Sequence, residues 1–189
     1  MTEPLRVALL IGSTRPQRFA DTIVRWIVSR IEPRDDLILD VVDLASADLP
    51  PVLPAGEHDA VTVFGRRIAA ADAIVVLTPE YNHSFPAPLK QAIDVLYDEW
   101  RAKPVAFVSY GGLSGGLRAV EQLRLIFAEL HAVTLRDTVS FHGARAAFDD
   151  QGRPHQPERK EAALNKLLQQ LLWWGHSLRS ARRATPYPG

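Results

Sequence analysis

Uninterrupted apolar runs recur along the chain, and polar loops and amphipathic stretches separate them. An apolar run without alternation is typical of a strand that is buried on both faces of a parallel sheet. The stretches between the runs carry apolar residues at the three- and four-residue spacing of a helix that buries one face. The pattern predicts strands at 5–11, 37–44, 73–77, 104–110 and 133–141, and helices at about 19–31, 59–71, 89–100, 117–130 and 158–180.

Strands that alternate with helices predict an α/β fold, built on a doubly wound parallel sheet with helices on both faces. We expect the flavodoxin-like strand order 2-1-3-4-5, in which strands one, three and four lie side by side. The length of 189 residues fits a single domain that spans 1–189. The helix at about 158–180 is expected to close this domain, with a surface tail after it.

Composition narrows the class of protein and its compartment. Hydrophobic residues make up 47% of the chain and charged residues 23%, which is ordinary for a soluble globular protein. Lysine plus arginine equals aspartate plus glutamate at 22 each, so no overall field favours nucleic acid or a membrane as a partner. The absence of cysteine excludes disulfides, thiolate nucleophiles and iron–sulfur clusters. The first residues lack the charged segment of a signal peptide, so we expect a cytoplasmic protein.

The loop after the first strand, Gly12-Ser13-Thr14-Arg15, is a candidate anion site. A loop that leads from a strand into a helix presents free backbone N–H groups, and here hydroxyls and a guanidinium join them. The single glycine argues against a dinucleotide fingerprint, and no Gly-Lys-Ser/Thr follows that would make a P-loop. The alternative interpretation is an N-capped helix with a surface arginine.

Two further loops carry chemistry. The third strand ends in TPEYNHS, residues 78–84, which combines a carboxylate, an aromatic ring, an amide, an imidazole and hydroxyls. The fourth ends in residues 111–116, whose glycines allow the backbone to approach a flat or anionic ligand closely. Each loop alone could simply close a strand, and His83 could be an ordinary loop histidine, since the six histidines show no metal-binding spacing. Because strands one, three and four are neighbours in the expected sheet, the three loops converge on one crevice.

Three segments, GSTRPQRF, TPEYNHSFPAPLKQAID and SYGGLSGGLRAVEQLR, resemble the signatures of the NADPH-dependent FMN reductase family, the flavodoxin-like quinone, chromate and azo-dye reductases. The resemblance covers residues 5 to about 141 and implies bound FMN, with NADPH or NADH as co-substrate and a small electron acceptor such as a flavin or quinone. It implies ping-pong turnover at an accessible flavin that needs no catalytic side chain. The acceptor, the choice between NADPH and NADH, and the retention or exchange of FMN stay open. Arg66, Arg67, Arg118 and Arg124 could meet the 2′-phosphate of NADPH, although solvated helix arginines are the commoner case.

The resemblance also implies the residues of the site. Many relatives carry Ser and Asn where this chain has Arg18 and Ala20, so the phosphate would depend more on arginine and backbone N–H groups. The implied flavin-binding residues are Ser13, Thr14, Arg15, Arg18 and Phe19 at the phosphate, Pro79, Glu80, Tyr81, Asn82, His83 and Ser84 along the ring, and Ser109, Tyr110, Gly111, Gly112, Ser114, Gly115 and Gly116 at its other edge.

Two other functions are compatible with parts of the sequence. Residues 112–116 match the G-x-S-x-G elbow of a serine hydrolase, with Ser114 as nucleophile and Asp137 and His142 in the required order. Against this interpretation, the motif is set off from its strand, and little chain follows it. The second alternative is a non-catalytic flavodoxin-like electron carrier or flavin sensor. Such carriers tend to be strongly acidic, whereas this chain is neutral.

The helix at 89–100 is apolar over a wider surface than one sheet face can cover. Aromatic residues at its end, with charged residues between them, resemble the core and rim of an interface. Relatives in the FMN reductase family pair through this region, so the resemblance implies a homodimer or homotetramer whose second chain completes the cleft. The alternative interpretation is a fully buried central helix. The apolar residues are Leu89, Ala92, Ile93, Val95, Leu96, Tyr97 and Trp100.

Overall fold

The apolar runs form a five-stranded parallel sheet in the computed structural model, which describes residues 3–188. The strand order is β2-β1-β3-β4-β5, so the predicted α/β fold and its strand order are confirmed. The predicted strands are all present, and β3 extends past residue 77 into the first part of the polar loop. The strands are β1 (Leu5–Ile11), β2 (Leu37–Asp43), β3 (Ala73–Pro79), β4 (Pro104–Tyr110) and β5 (Val133–Phe141).

Helices connect the strands, and the third of them is shorter than predicted. It ends at Asp94 rather than at Trp100. The backbone leaves helical geometry at Tyr97, with φ −138° and ψ −64°. The indole N–H of Trp100 donates to the carbonyl of Ile93 at 3.1 Å, which adds a side-chain hydrogen bond to the last turn of the helix. The helices are α1 (Ala20–Ile31), α2 (Asp59–Ala70), α3 (Ala87–Asp94), α4 (Leu117–Glu129) and α5 (Pro157–Ala184).

The core consists of two apolar layers, one on each face of the sheet. Successive side chains of a strand point to opposite faces, so Val7 and Leu9 join one layer, and Ala8 and Leu10 join the other. α1 and α5 cover the first layer, whereas α2, α3 and α4 cover the second. Within residues 3–188, none of the helices combines the length and the hydropathy that crossing a bilayer requires.

The wide apolar surface predicted for the 89–100 segment is wrong, because the chain buries most of it in its own core. After α3 the backbone turns back, and the Trp100 ring packs edge-on against Phe127 with centroids 5.5 Å apart. Tyr97 is half exposed. The alternative of a buried central segment therefore describes this region better. The fully buried members are Leu89, Ala92, Ile93 and Trp100.

A buried lysine joins the start of β4 to the end of α2. Lys103 is 5% exposed, and its Nζ donates to the carbonyls of Ile68 at 2.6 Å and Ala69 at 2.9 Å. These carbonyls belong to the last turn of α2, where a helix leaves its acceptors free. Burial lowers the pKa of Lys103 to about 8, because the charged amine loses hydration that the two carbonyls only partly replace.

This burial predicts how stability depends on pH. The pKa of Lys103 is about 8 in the folded chain against an ordinary value of 10.5, so between these values the unfolded state binds more protons. The free energy of unfolding therefore rises with pH in this window, by at most about 1.4 kcal/mol per pH unit. We expect Lys103→Met to abolish the rise, as measured by urea unfolding from about pH 7.5 to 10.

Lys166→Met is the matched control, because the Lys166 side chain is 64% exposed. This control should keep the pH dependence of the unmodified chain. Identical pH profiles for the two variants would contradict the role assigned to Lys103.

Candidate functional site

The carboxyl ends of β1, β3, β4 and β5 surround a cavity of about 630 Å³. It lies beside the switch point between β1 and β3, where open α/β sheets bind their ligands. The cavity therefore occupies the crevice that the three polar loops predicted. Its lining consists of Ser13, Arg15, Pro16, Gln17, Arg18, Phe19, Pro79, Glu80, Tyr81, Tyr110, Gly111, Gly112, Gly143, Ala144, Arg145 and Ala146.

The predicted site residues divide between this lining and the structure that supports it. Thr14 lines a neighbouring cavity of about 430 Å³, beside the start of α3. Residues 82–84 form a turn next to the main cavity, and Ser109 with residues 114–116 packs behind it. The predicted residues in the lining are Ser13, Arg15, Arg18, Phe19, Pro79, Glu80, Tyr81, Tyr110, Gly111 and Gly112.

The sequence motifs missed one contributor, the loop after β5. Residues 143–146 line the cavity although they carry no recognisable motif. The available signal was topological, because a fifth parallel strand also ends at this edge of the sheet.

The loop between β1 and α1, residues 12–19, is called the anchor loop here, and it holds a buried hydroxyl that has no partner in the described part of the chain. Ser13 is 1% exposed, and its Oγ has no hydrogen-bond partner within residues 3–188. The Tyr110 phenol lies near enough to Ser13 for the serine hydroxyl to oppose the rise in the Tyr110 pKa, but the two hydroxyls do not meet hydrogen-bonding geometry. Burial raises the pKa of Tyr110 to about 12, so its hydroxyl stays protonated. An unsatisfied buried hydroxyl costs about 1–3 kcal/mol, and a ligand oxygen in the cavity would remove that cost.

Arg18 lines the cavity but is already paired. Its guanidinium forms a two-pronged ion pair with Asp43 at the end of β2, and its Nε donates to Asp21 at 2.8 Å. A further N–H donates to the carbonyl of Ser13. The hydrogen bond from Arg18 is the main reason that the pKa of Asp43 is lowered. Arg18 therefore fixes the anchor loop to β1, β2 and α1, and most of its N–H groups are not free for a ligand.

The loop after β3 is a tight, braced turn. Tyr81 and Ser84 exchange two backbone hydrogen bonds of 2.9 Å, and Asn82 and His83 between them have φ of 50° and 66°. Positive φ at both central residues is the geometry of a type I′ turn, which asparagine tolerates well. The side chain of Gln122 in α4 bonds the Ser84 hydroxyl at 2.6 Å and the His83 carbonyl at 2.8 Å. The turn is therefore held in one position before any ligand arrives.

Glu80 joins the same loop to the start of α4. Its carboxylate accepts hydrogen bonds from the Ser114 hydroxyl, from the Arg118 backbone N–H at 3.2 Å and from the Arg118 guanidinium at 3.0 Å. Burial by itself would raise the pKa of Glu80, but these hydrogen bonds outweigh burial and lower the pKa. The carboxylate thus stays ionised and acts as a strut between two loops rather than as a proton donor.

The glycine-rich loop after β4 depends on the absence of side chains. Gly115 and Gly116 have φ of 62° and 88°. A Cβ on Gly116 would lie 2.7 Å from the Cβ of Ser109 and 2.9 Å from the backbone nitrogen of Tyr110. Such contacts are shorter than packed carbon atoms allow. Glycine here lets the loop return against β4 and brings the backbone of Gly111 and Gly112 to the cavity.

The catalytic triad of the hydrolase interpretation is not assembled. Ser114 donates to Glu80. Asp137 instead binds Lys166 at 2.8 Å, and Nδ1 of His142 contacts the carbonyl of Leu113 at 2.9 Å. Since neither the acid nor the orientation of the histidine supports a serine nucleophile, this interpretation is wrong.

The helix arginines considered for the 2′-phosphate of NADPH lie outside the cavity lining. Within residues 3–188, the lining guanidinium groups that no carboxylate pairs are those of Arg15 and Arg145. Arg15 extends over the ring of Tyr81, 5.8 Å from its centroid, and so bridges the first and third loops. Three of the helix arginines pair elsewhere: Arg67 with Asp40, Arg118 with Glu80 and Arg124 with Glu121.

These contacts define what the cavity can hold. Part of the lining offers the Ser13 hydroxyl, the Arg15 guanidinium and the N-terminus of α1, which no side chain within residues 3–188 caps. Hydroxyls, arginine and a helix N-terminus are the groups that bind a phosphate. Another part of the lining consists of the Tyr81 ring and the backbone of Gly111 and Gly112, which fits the face and edge of a flat ring. The cavity volume is within the range of about 300–1,000 Å³ of small-molecule sites.

Known proteins resemble this chain in sequence and in fold. The family model described as NADPH-dependent FMN reductase matches residues 5–146. An NAD(P)H-dependent FMN reductase of Schizosaccharomyces pombe is 38% identical over 120 residues, which cover 59% of this chain and 60% of that protein, less than two thirds of its length. An NAD(P)H-dependent FMN reductase of Pseudomonas aeruginosa is 30% identical over 188 residues, which cover 95% of this chain and 100% of that protein.

Among solved structures, FerB, a flavoenzyme NAD(P)H:(acceptor) oxidoreductase from Paracoccus denitrificans, superposes with a TM-score of 0.72 at 24% identity. The match covers 92% of this chain and 98% of FerB. At this level of identity the likeness concerns the fold alone.

Arg18 pairs with carboxylates, whereas Arg15 has no such partner within residues 3–188. We therefore expect the same substitution to have different effects at the two positions. Arg18→Met should lower the free energy of unfolding at neutral pH by about 1–3 kcal/mol, because it leaves Asp43 and the Ser13 carbonyl without their partner. Arg15→Met should change it by less than about 0.5 kcal/mol, since this side chain is exposed. Urea unfolding of both variants is the measurement.

The pH dependence of stability provides a second check on the ion pair between Arg18 and Asp43. The pKa of Asp43 is lowered in the folded chain, so the ion pair stabilises fully above the ordinary value of 3.8, and its contribution is lost as the pH falls below that value. The stability difference between Arg18→Met and the unmodified chain should therefore shrink in acid. A difference that is constant down to about pH 3 would mean that packing, rather than the ion pair, accounts for the loss.

Proposed function

The chain belongs to the NADPH-dependent FMN reductase family, and on that premise we propose that it is an FMN-dependent NAD(P)H oxidoreductase that reduces a small acceptor such as a flavin or quinone. The observation that carries the proposal is the cavity at the switch point, whose lining combines phosphate-binding groups with a flat wall of aromatic ring and backbone. FMN, when bound, supplies the chemistry of hydride acceptance and electron transfer. The family match, the strand topology and the donor set all support this assignment.

We assign the side chains to binding and positioning. Ser13 and Arg15, with the N–H groups at the start of α1, would hold the phosphate of FMN. Tyr81 and the backbone of residues 79–80 and 110–112 would line the ring. The remaining predicted residues act one step further out, because Arg18, residues 82–84, Ser109 and residues 114–116 hold the three loops in place.

No side chain is required as a general acid or base. Glu80 is committed to Ser114 and Arg118, and His83 lies exposed at the tip of its turn. Several lining residues, Arg15, Gly112 and Arg145 among them, are exposed to solvent, so nicotinamide and acceptor can use the same face in turn. We therefore propose ping-pong turnover, in the cytoplasm, with either nicotinamide dinucleotide as the reductant.

Reduction of the bound cofactor tests the proposal directly. We expect the purified protein to bind FMN, identified by mass spectrometry of the released cofactor, and NADPH or NADH to bleach its visible absorbance without oxygen. Addition of a quinone should restore the colour, and initial rates at several acceptor concentrations should give the parallel lines of a ping-pong reaction. A non-catalytic electron carrier would also bind FMN, but NADPH or NADH would bleach its absorbance far more slowly than a reductase turns over. Native FAD, or no flavin binding, would refute the assignment.

We further infer that the chain acts as a homodimer or a dimer of dimers, assembled beside the flavin. The apolar surface at 89–100 first favoured this assembly, but most of it is buried in the core of the chain. Leu113, which is 89% exposed, and Leu117, which is 40% exposed, instead supply apolar surface at the glycine-rich loop next to the cavity. Exposed apolar side chains that cluster beside a site are typical of an interface.

Light scattering at micromolar concentration should detect the dimer, and a Leu113→Glu, Leu117→Glu double variant should dissociate it because it buries charge without a partner. Trp173→Glu is the control, since this side chain is 64% exposed on α5, on the opposite face of the sheet. A monomeric unmodified chain with full FMN occupancy would refute the proposed assembly.

A further inference from the structure

We propose that Arg145, in the loop after β5, is a second ligand of the FMN phosphate and balances the charge that Arg15 alone leaves uncompensated. This inference rests on the proposed function. Arg145 lines the cavity, is exposed, and has no carboxylate partner within residues 3–188. It is therefore a cation whose charge is available to a ligand.

Hydrogen bonds fix the backbone around Arg145, although its side chain pairs with no carboxylate in the described part of the chain. The N–H of Gly143 donates to the carbonyl of Gly112 at 2.9 Å, and the N–H of Ala144 donates to the carbonyl of Gly111 at 3.0 Å. Ala144 is buried, and a 3₁₀ turn at Ala144–Ala147 follows. Arg145 thus leaves a braced turn that is hydrogen-bonded to the glycine-rich wall of the cavity. A guanidinium on such a support loses less conformational freedom when it binds an anion.

An aromatic cluster links the chain just after this turn to the residue that precedes α1. The ring of Phe148, just after the turn, packs against Phe19 with centroids 5.3 Å apart and against Phe141 at 4.9 Å. Phe19 is the residue that precedes α1, and its ring also packs near that of Tyr110, with centroids 6.2 Å apart. The loop after β5 and the anchor loop after β1 therefore lie side by side, on the face of the sheet that α1 and α5 cover.

The charges around the cavity explain why a second cation is needed. A phosphate monoester carries about −1.5 to −2 charges at neutral pH. Arg18 cannot neutralise it, because Asp43 and Asp21 already balance this guanidinium. Arg15 supplies one unpaired positive charge, and Arg145 supplies the other.

The side chains at the start of α1 leave the same need for donors. Arg18 is engaged in an ion pair, and the side chain of Ala20 has no donor. The phosphate site thus lacks two side-chain donors at the start of α1. Arg145 supplies donors from the loop after β5.

Binding of FMN and of riboflavin to the flavin-free protein tests the inference, because the two ligands differ only in the phosphate. Arg145→Gln should raise the Kd for FMN at least about tenfold, the effect of losing one charge-assisted hydrogen bond. The Kd for riboflavin should change by less than about twofold. Flavin fluorescence during titration measures both constants independently of catalysis.

Arg153→Gln is the matched control, because Arg153 lies in the same segment but pairs with Asp149 at 2.8 Å. It should leave both constants unchanged. Rising salt should weaken FMN binding to the unmodified chain and to Arg153→Gln, and it should do so less steeply in Arg145→Gln, which has one cation fewer at the phosphate.

The outcomes separate this inference from the function on which it rests. If the unmodified chain binds FMN and Arg145→Gln binds it equally well, Arg145 is not a phosphate ligand. Equal losses for FMN and riboflavin would also overturn the inference, because they indicate a disturbed loop. A raised KM for NADPH with an unchanged Kd for FMN would assign the cation to the co-substrate instead. Failure of the unmodified chain to bind FMN would refute the proposed function itself.

Discussion

The parallel register of the sheet places the ends of β1, β3, β4 and β5 along one edge, and hydrogen bonds carry that register past the strands into the loops. The first residue of each loop still donates to the neighbouring strand, so each loop leaves the sheet in a fixed direction. Three loops that are far apart in sequence therefore surround one cavity without needing a ligand to assemble them. The bonds run from Gly12 to Leu77 at 2.8 Å, from Glu80 to Tyr110 at 3.1 Å and from Gly111 to Phe141 at 3.1 Å.

Paired and unpaired charges have different tasks around this cavity. The pairs of Arg18 with Asp43 and of Glu80 with Arg118 join loops to neighbouring elements, so they set the shape of the site. Their charges are balanced, and most of their hydrogen-bonding capacity is used. Arg15 and Arg145 have no such partner among residues 3–188, so their charge is directed at whatever anion occupies the cavity. In this chain a phosphate would thus be held by the arginines that the fold itself does not use.

Close backbone packing complements these charges. The left-handed conformations of Gly115 and Gly116 press the loop after β4 against Ser109 and Tyr110, and Ser109 Oγ donates to the Gly115 carbonyl at 2.9 Å. The cavity wall there is backbone rather than side chain. Such a wall can approach a flat ligand closely and leaves its other face accessible, which suits a cofactor that must meet two successive substrates.

The sequence by itself determined the fold class, the strands and the three loops that line most of the cavity, because apolar periodicity and strand–loop–helix alternation are local properties. The strand order was expected from the topology that such alternation commonly adopts, and the pairing of the strands confirmed it. Tertiary structure decided which residues in those loops are free. Arg18 looked like a ligand, but Asp43 lies 25 positions along the chain, and no spacing rule pairs them. Trp100 looked like surface, yet its indole donates to the last turn of α3 and its ring fills the core. The loop after β5 showed no motif, and only the contacts of its backbone with Gly111 and Gly112 bring Arg145 to the cavity. Periodicity reports which face of an element is buried, whereas the partners of a charge depend on distances that only the folded chain defines.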